Sequence, residues 1–577
     1  MRQGSSYDKH PAIAISSSSE DCAVGWANVL ERLRGAAGTV GVECYPGAFV
    51  EDIEQALTGG LRPAQVFRTS DYMKAPEEVD AMLAPYLGDD PVFGRMNGLE
   101  IGHFFDPAKL AGAREDIAQC PGSVLVVGTG ASLLLPEPDV LVYADMARWE
   151  IQARQRNHQI ANLGARNQGE HASLQYKRAF FVDWRAADRL KKHLLERIDF
   201  LLDTNDRKNP KLIAGDLFRR ALDVTARRPF RVVPFFDPGP WGGEWMRSRF
   251  GLPVGPPNYA WCFDCVPEEN SLLLGFGDVR VEIPAIDLVF SHPRELLGDA
   301  VHGRFGTEFP IRFDMLDTMG GGNLSLQVHP LTEYIQEQFG MHYTQDESYY
   351  LLDAGEGAGV YLGISEDAKP GEMFAALERA QEGGAPFPAE RFVNRWPAKK
   401  HDHFLIPAGT IHCSGKDSMV LEISATPYIF TFKLWDWGRL GLGGKPRPIH
   451  LEHGRQNVQW SRRTEWVRRN LVNRAEVISS RNGGREERTG LHEREFIETR
   501  RHWFTGGVEH DTHGGVNVLN LVEGPEVVIE SPDSAFEPFV VHYAETFIVP
   551  AAVGRYRIRP TGTGTCATIK AYVRVNP

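Results

Sequence analysis

The chain has 577 residues, 42% of them apolar and 24% charged, with a formal net charge of -13. An acidic surface excludes general binding to nucleic acid or to an anionic membrane, although a pocket can be locally basic. No run of ~18 uncharged apolar residues occurs, and Met1 to Ser19 has no long apolar core, so a cytoplasmic protein with neither a membrane nor a nucleic-acid partner is expected.

At roughly 150 residues per domain the length suggests three or four domains, each with its own core. Seven cysteines spread from Cys22 to Cys566 read as reduced thiols. Cys262 and Cys265 form one C-x-x-C without a second pair at zinc-finger spacing, and read as core residues.

The first part alternates short apolar runs with helical patterns. "AIAIS" (12–16), "GTVGVECYPG" (38–47), "SVLVVGTGAS" (123–132) and "DVLVYADM" (139–146) are near-continuous apolar strands, as a sheet covered on both faces requires. Residues 186–202 repeat leucine and isoleucine at helical spacing and predict one helix. A three-layer α/β domain over 1–228 is expected. "HPAIAISSSSEDCAVGWANVLERL" sets a strand, a Ser-rich turn and a helix where a P-loop would lie, but Glu20 and Asp21 replace the Gly and Lys that hold phosphate. "VVGTGAS" is Gly-x-Gly only and misses the dinucleotide fingerprint. With "VLVYADMARWEIQARQR" and "YKRAFFVDWRAADRLKKHL", this part is faintly similar to uridine-kinase-like P-loop proteins, with the nucleotide chemistry lost.

From about Arg231 helices become scarce and short β runs are separated by Gly, Pro and Asp turns. "DHFLIPAGTIH" (402–412) and "ETFIVPAAVGR" (545–555) echo one another, which suggests two related β units. The second carries Arg555 where the first has His412. The expected division is a metal-binding domain over 229–455 with a helical insertion and a second, metal-free one over 456–577. Between them "WSRRTEWVRRNLVNRAEVISSRNGGREERTG" reads as charged, partly helical surface.

Alternation along "SLQVHP" sends Ser325, Gln327 and His329 to one face and Leu326 and Val328 to the other. With Glu347 in "DESYYLL" and His412, these residues offer two imidazoles, a carboxylate and an amide oxygen, a donor set suited to Zn²⁺ and tolerant of Mn²⁺ or Fe²⁺. Spacing alone leaves ordinary core and strand roles open for each.

"LSLQVHP", "DESYYLL", "IPAGTIH", "VLEIS" and "TFKLWDWGR" occur in the order of motifs in type I mannose-6-phosphate isomerases, a family of zinc-dependent cupins, and "VVPFFDPGPWGGEWMRSRFGLP" resembles that family's start. The resemblance covers roughly 231–577. It implies a mainly β double-cupin module, one Zn²⁺ per chain held by Gln327, His329, Glu347 and His412, and an aldose–ketose isomerase acting on mannose 6-phosphate or a related sugar. Its partner would be a sugar or sugar phosphate, and a homo-oligomer is compatible with it. Glu422, in "VLEIS", is the expected proton-transfer base. Lys433 stands where the family carries an Arg, Arg439 ends the same motif, and Ser325 and Gln345 are expected to meet substrate.

Departures from the family fall on the substrate side. Gln345 replaces a Lys, Lys433 replaces an Arg, and "NYAWCFDC" replaces an early Gly-Glu-Ser-Trp stretch; fewer or weaker cations bind a phosphate less well. Two rival readings follow. One is a non-catalytic sugar-binding or regulatory cupin, suggested by Gln345 and Lys433. The other is an Fe²⁺ oxygenase using His329, Glu347 and His412 as a facial triad.

Overall fold

A computed structural model describes residues 6–35, 38–425, 430–441, 444, 446–481, 483–490, 492 and 495–574. They divide into two compact units, one of Ala12–Thr225 with Ser271–His292 and one of the other described residues. The first twelve strands are β1 (Ala12–Ile15), β2 (Cys22–Val24), β3 (Thr39–Cys44), β4 (Gln65–Arg68), β5 (Val124–Gly128), β6 (Val140–Asp145), β7 (Phe200–Asp203), β8 (Lys211–Ala214), β9 (Phe235–Asp237), β10 (Trp261–Cys265), β11 (Ser271–Phe276) and β12 (Val279–Pro284).

In the α/β unit a seven-stranded sheet has the order β4-β5-β3-β6-β7-β8-β2. Its first five strands are parallel and the last two antiparallel. Parallel neighbours need crossovers, and helices supply them: Val50–Leu61 joins β3 to β4, while Pro76–Leu87 and Pro107–Gln119 lie between β4 and β5. The continuous burial of β5 matches a strand covered on both faces.

Two expectations are corrected here. Residues 186–202 do not form one helix: the helix is Trp184–Leu194, and Phe200–Asp203 is strand β7. A strand buried on both faces has a continuous apolar run, so Leu201 and Leu202 extend a helical repeat equally well. Nor does the strand before the Ser-rich turn open the large sheet. β1 pairs in parallel with β11 in a separate sheet of order β1-β11-β12. β3 is the middle one of the five parallel strands, and the loop after it, Tyr45–Phe49, has no Lys.

The second unit continues with β13 (Arg312–Asp317), β14 (Leu326–Val328), β15 (Glu347–Ala354), β16 (Gly359–Ile364), β17 (Val393–Pro397), β18 (His403–Ile406), β19 (His412–Ser414), β20 (Ser418–Ser424) and β21 (Phe432–Trp435). Two antiparallel sheets, β18-β15-β20-β13-β10-β9 and β17-β16-β19-β14-β21, make one barrel-like layer pair. The helix Pro370–Gln381 is inserted between β16 and β17.

The last ten strands are β22 (Glu476–Arg481), β23 (Gly484–Gly490), β24 (Ile497–Phe504), β25 (Val508–Asp511), β26 (Asn517–Glu523), β27 (Glu526–Glu530), β28 (Phe539–His542), β29 (Thr546–Val549), β30 (Arg555–Pro560) and β31 (Cys566–Val573). They form sheets β22-β23-β24-β31-β26-β29 and β25-β30-β27-β28 around a core that includes Leu519, Ile529, Phe547 and Tyr556. The order β29-β26-β31-β24 repeats β18-β15-β20-β13, and β28-β27-β30-β25 repeats β17-β16-β19-β14. The sequence echo thus marks a structural repeat. The Arg-rich segment before it becomes a helix, Thr464–Asn470, and the hairpin β22–β23. Its acids pair with the next strand, as in Glu487–Arg501 at 2.8 Å.

Candidate metal centre

Gln327 is paired across the sheet with His412 on β19 and with Lys433 on β21, so the three side chains leave one face of adjacent strands. His329 follows two residues later, and Glu347 opens β15 of the facing sheet. His329 Nε2 lies 3.0 Å from Glu347 Oε2, and His412 Nε2 lies 2.9 Å from Glu347 Oε1. One ligand atom from each residue falls within 4.8 Å of the others, and all three are buried. Gln327 Nε2 is 3.2 Å from His412 Nε2. Amide oxygen and nitrogen are exchangeable by a flip, so Gln327 can turn its oxygen to the same point.

The outer ring nitrogens fix the tautomers. His329 Nδ1 is 2.9 Å from the Phe430 carbonyl and His412 Nδ1 is 2.9 Å from the Thr410 carbonyl, so each Nδ1–H donates outward. Both Nε2 lone pairs then face the Glu347 carboxylate, and three electron-rich groups converge with no proton between them. Such a set repels itself unless a cation sits within it, and second-sphere carbonyls of this kind orient metal-binding imidazoles. The donors fit one divalent cation, with Gln327, His329, Glu347 and His412 as the residues that would hold it.

Gln345 bridges this cluster to Glu422, donating to Glu347 Oε2 at 2.9 Å and to Glu422 Oε1 at 3.4 Å. Glu422 stands between Asp314 on β13 and Tyr349 on β15. Burial, then the charge of Glu347, pushes the Glu422 carboxyl well above the ordinary carboxylate range. Burial also pushes Asp314 up, to about 6, against the opposing pull of Arg312, which is ion-paired with it. Burial opposes ionisation of Glu347 as well, and positive charge at the cluster lowers it; with both Nε2 atoms deprotonated, a bound cation would supply that charge.

Not every expected residue joins the cluster. Ser325 donates to Asp436 at 2.8 Å, and Arg439 donates to Asp436 at 2.7 Å and to the Asn323 carbonyl. Arg447 completes that group, 3.2 Å from Asp436. Ser325 and Arg439 are therefore engaged in an ion cluster one pleat away from Gln327. Asp314, Arg312 and Tyr349 escaped the sequence reading. Their signal was available: Tyr349 lies two residues from Glu347 on one strand face, and "RFDMLD" alternates charge inside a strand that is buried throughout.

In the repeat the corresponding places are occupied differently. The Gln327–His412 pair becomes Asp511–Arg555, and Glu347 becomes Asn517, which donates to Tyr556. Among the described residues only the first barrel gathers a candidate metal-binding group.

Fold and site together define a class: a repeated antiparallel β barrel with a buried His–Glu–His cluster in one copy, carried with a parallel α/β unit. A family model described as a domain of unknown function (DUF8485) matches residues 25–227. Mannose-6-phosphate isomerase of Streptococcus mutans is 28% identical over 214 residues, 37% of this chain and 62% of that protein. Mannose-6-phosphate isomerase ManA of Bacillus subtilis is 26% identical over 224 residues, 39% of this chain and 66% of that protein. The chain thus spans less than two thirds of the length of the curated relatives it matches. A crystal structure of mannose 6-phosphate isomerase from Bacillus subtilis superposes with a TM-score of 0.49 at 21% identity, covering 60% of this chain and 100% of that one. No described helix is long and apolar enough to cross a membrane.

Proposed function

We propose that the chain is a metal-dependent aldose–ketose isomerase of the cupin type, acting on mannose 6-phosphate or a closely related hexose, with Zn²⁺ as the bound ion. The observation that carries the reading is the pair of outward Nδ1 donors, which leaves both Nε2 atoms and Glu347 aimed at one point. The similarity to mannose-6-phosphate isomerases supports the reaction class.

Moving hydrogen between C2 and C1 of an open-chain sugar needs a base for a weakly acidic proton and stabilisation of the enediolate oxygen. A bound Zn²⁺ supplies the Lewis acid for that oxygen. The protein's share is division of labour between two carboxyls. Glu347 is the anionic member of the cluster, while Glu422, buried and joined to it through Gln345, is placed to accept and return a proton. Gln345 links the two and sets their spacing. Lys433, beside Gln327, brings an ammonium to the same face for substrate oxygens. Ser325 and Arg439 serve through the Asp436 cluster, which fixes the strand carrying Gln327.

The test is proton NMR in D₂O with Zn²⁺-loaded protein and mannose 6-phosphate, then mannose. Deuterium uptake at C2 is expected with one of them, and His412→Ala is expected to lose both metal and exchange while keeping the fold. Stoichiometric metal in His412→Ala, or no exchange on either sugar by the loaded protein, would overturn the reading.

A further inference from the structure

The α/β unit contains a cleft of about 990 Å³ at the carboxyl ends of β3, β4 and β5, within the size range of small-molecule sites. The crossover after β3 runs outward past β5 to β4, whereas the chain after β5 returns across β3 to β6. Such a reversal leaves a crevice beyond the strand ends, the usual ligand position in open α/β sheets. Its floor is tightly built: a Cβ on Gly128, at φ +126°, would come within 2.1 Å of Thr69 Oγ1.

The devices that normally hold an anion at such a place are taken by the protein's own groups. The Gly130 and Ser132 backbone N–H groups and the Ser132 hydroxyl donate to Glu43 at 2.5, 2.9 and 2.8 Å. The helix Val50–Leu61 begins at the cleft but carries Glu51 and Asp52 in its first turn, so its positive end is already compensated. Pro46 in the preceding loop offers no N–H. Arg68 is spent on Glu54 through two bonds of 2.6 Å.

What remains facing the cleft is of another kind. Glu51 and Asp71 are exposed carboxylates, and the side-chain amides of Gln55 and Gln159 have no partner among the described residues. Arg166 is the remaining cation of the lining. Carboxylates accept hydrogen bonds and amides both donate and accept, a set that satisfies hydroxyl groups and repels polyphosphate.

We propose that this cleft binds an uncharged, polyhydroxylated ring compound, a free sugar or a nucleoside, and excludes nucleoside triphosphates. The inference is independent of the isomerase reading, since every residue it uses belongs to the α/β unit. Gly59 lines the cleft within the helix Val50–Leu61, and nothing lies within 4 Å of a Cβ placed on it. Gly59→Trp therefore adds a bulky ring to the cleft lining from a Cβ that meets no neighbour.

The test is saturation-transfer NMR on the full chain with D-mannose, uridine and Mg-ATP as separate probes, applied to wild type, Gly59→Trp and His412→Ala. Saturable transfer to mannose or uridine is expected, reduced at least tenfold by Gly59→Trp and retained in His412→Ala, with none to Mg-ATP. Which neutral probe responds separates sugar from nucleoside. Transfer to neither, transfer that only His412→Ala removes, or Mg-ATP binding that Gly59→Trp abolishes would each overturn the proposal. Should Gly59→Trp fail to fold by circular dichroism, Gln55→Leu, at an exposed helix position, replaces it with the same expected loss.

Discussion

Glu422 on β20 and Lys570 on β31 hold the same place in two copies of one barrel. Glu422 is paired across the sheet with Asp314, and Lys570 with Arg500. The acid pair of the first copy is thus a cation pair in the second, in line with a candidate metal-binding group in the first barrel and none among the described residues of the second. Lys570 has the Tyr572 ring 5.5 Å from its ammonium, whereas the neighbouring Arg500 takes Glu486 at 2.8 Å and Glu498 at 2.7 Å.

Burial lowers the Lys570 ammonium from 10.5 to about 8. Between those values the unfolded state binds more protons than the folded one, so stability rises with pH from about 8 to 10.5. At pH 7 the buried charge costs up to about 3 kcal/mol. Lys570→Met, which keeps the length and removes the charge, is expected to raise the urea midpoint at pH 7, with the gap to wild type closing above pH 10.5. A variant less stable than wild type at pH 7 would show that the ammonium is paired and favourable.

His403 makes the same case at lower pH. It is buried against the Tyr350 ring, at a centroid distance of 5.6 Å. Burial, with the nearby Arg501 guanidinium, lowers its pKa from 6.5 to about 3. The unfolded chain takes up the proton first as pH falls, so stability present above 6.5 is lost on acidification, by about 2 kcal/mol at pH 5. His403→Gln should flatten that limb. Parallel urea titrations of the two proteins at pH 7 and pH 5 measure it, and an equal loss in both would mean that His403 does not titrate there.

Much of the barrel was readable because its chemistry lies on short, strongly patterned stretches. The alternation in "SLQVHP" places Gln327 and His329 on one face, and β14 does so, with His412 as the cross-strand partner of Gln327. The echo between 402–412 and 545–555 marks β18 and β29, edge strands in the same order of their sheets. What stayed hidden depends on pairing between distant strands. Nothing in "IRFDMLD" says that Asp314 will stand opposite Glu422, 108 residues on. In the α/β unit, parallel strands buried on both faces lose the alternation that separates strand from helix, and the Leu201–Leu202 run therefore fits a helical repeat equally well. The place of β3 in the middle of the five parallel strands is a property of sheet order, which local pattern does not encode.

Glu43 tests whether the α/β unit holds its own carboxylate at the expense of solvation. Burial raises the group from 4.5 to about 7, against three hydrogen bonds that lower it. Between those values the folded state binds more protons, so the contribution of Glu43 falls as pH rises through 7. The stability of wild type relative to Glu43→Gln should therefore fall by about 3 kcal/mol from pH 4.5 to pH 8, read from hydrogen exchange of the β3 and β5 amides. A wild-type stability that rises relative to Glu43→Gln with pH would mean that the Gly130 and Ser132 donors outweigh burial and that the carboxylate is the preferred form.

The neutral amide at Gln327 carries the sharpest prediction for the metal centre. With two neutral imidazoles and the single carboxylate of Glu347, a divalent ion would keep a net positive charge, and that charge is what stabilises a developing enediolate. Gln327→Glu preserves shape and adds a second carboxylate, 3.2 Å from His412 Nε2 and in register with Lys433. Metal should be retained at full stoichiometry, since another anionic oxygen strengthens the donor set. Deuterium exchange at C2 should nevertheless fall by about 100-fold, the scale of losing one electrostatic contact to the transition state. Measuring metal content and exchange on one sample separates the two effects. Full metal with undiminished exchange would mean that the charge at the ion does not govern the reaction, and that Gln327 is selected for some other property of its amide.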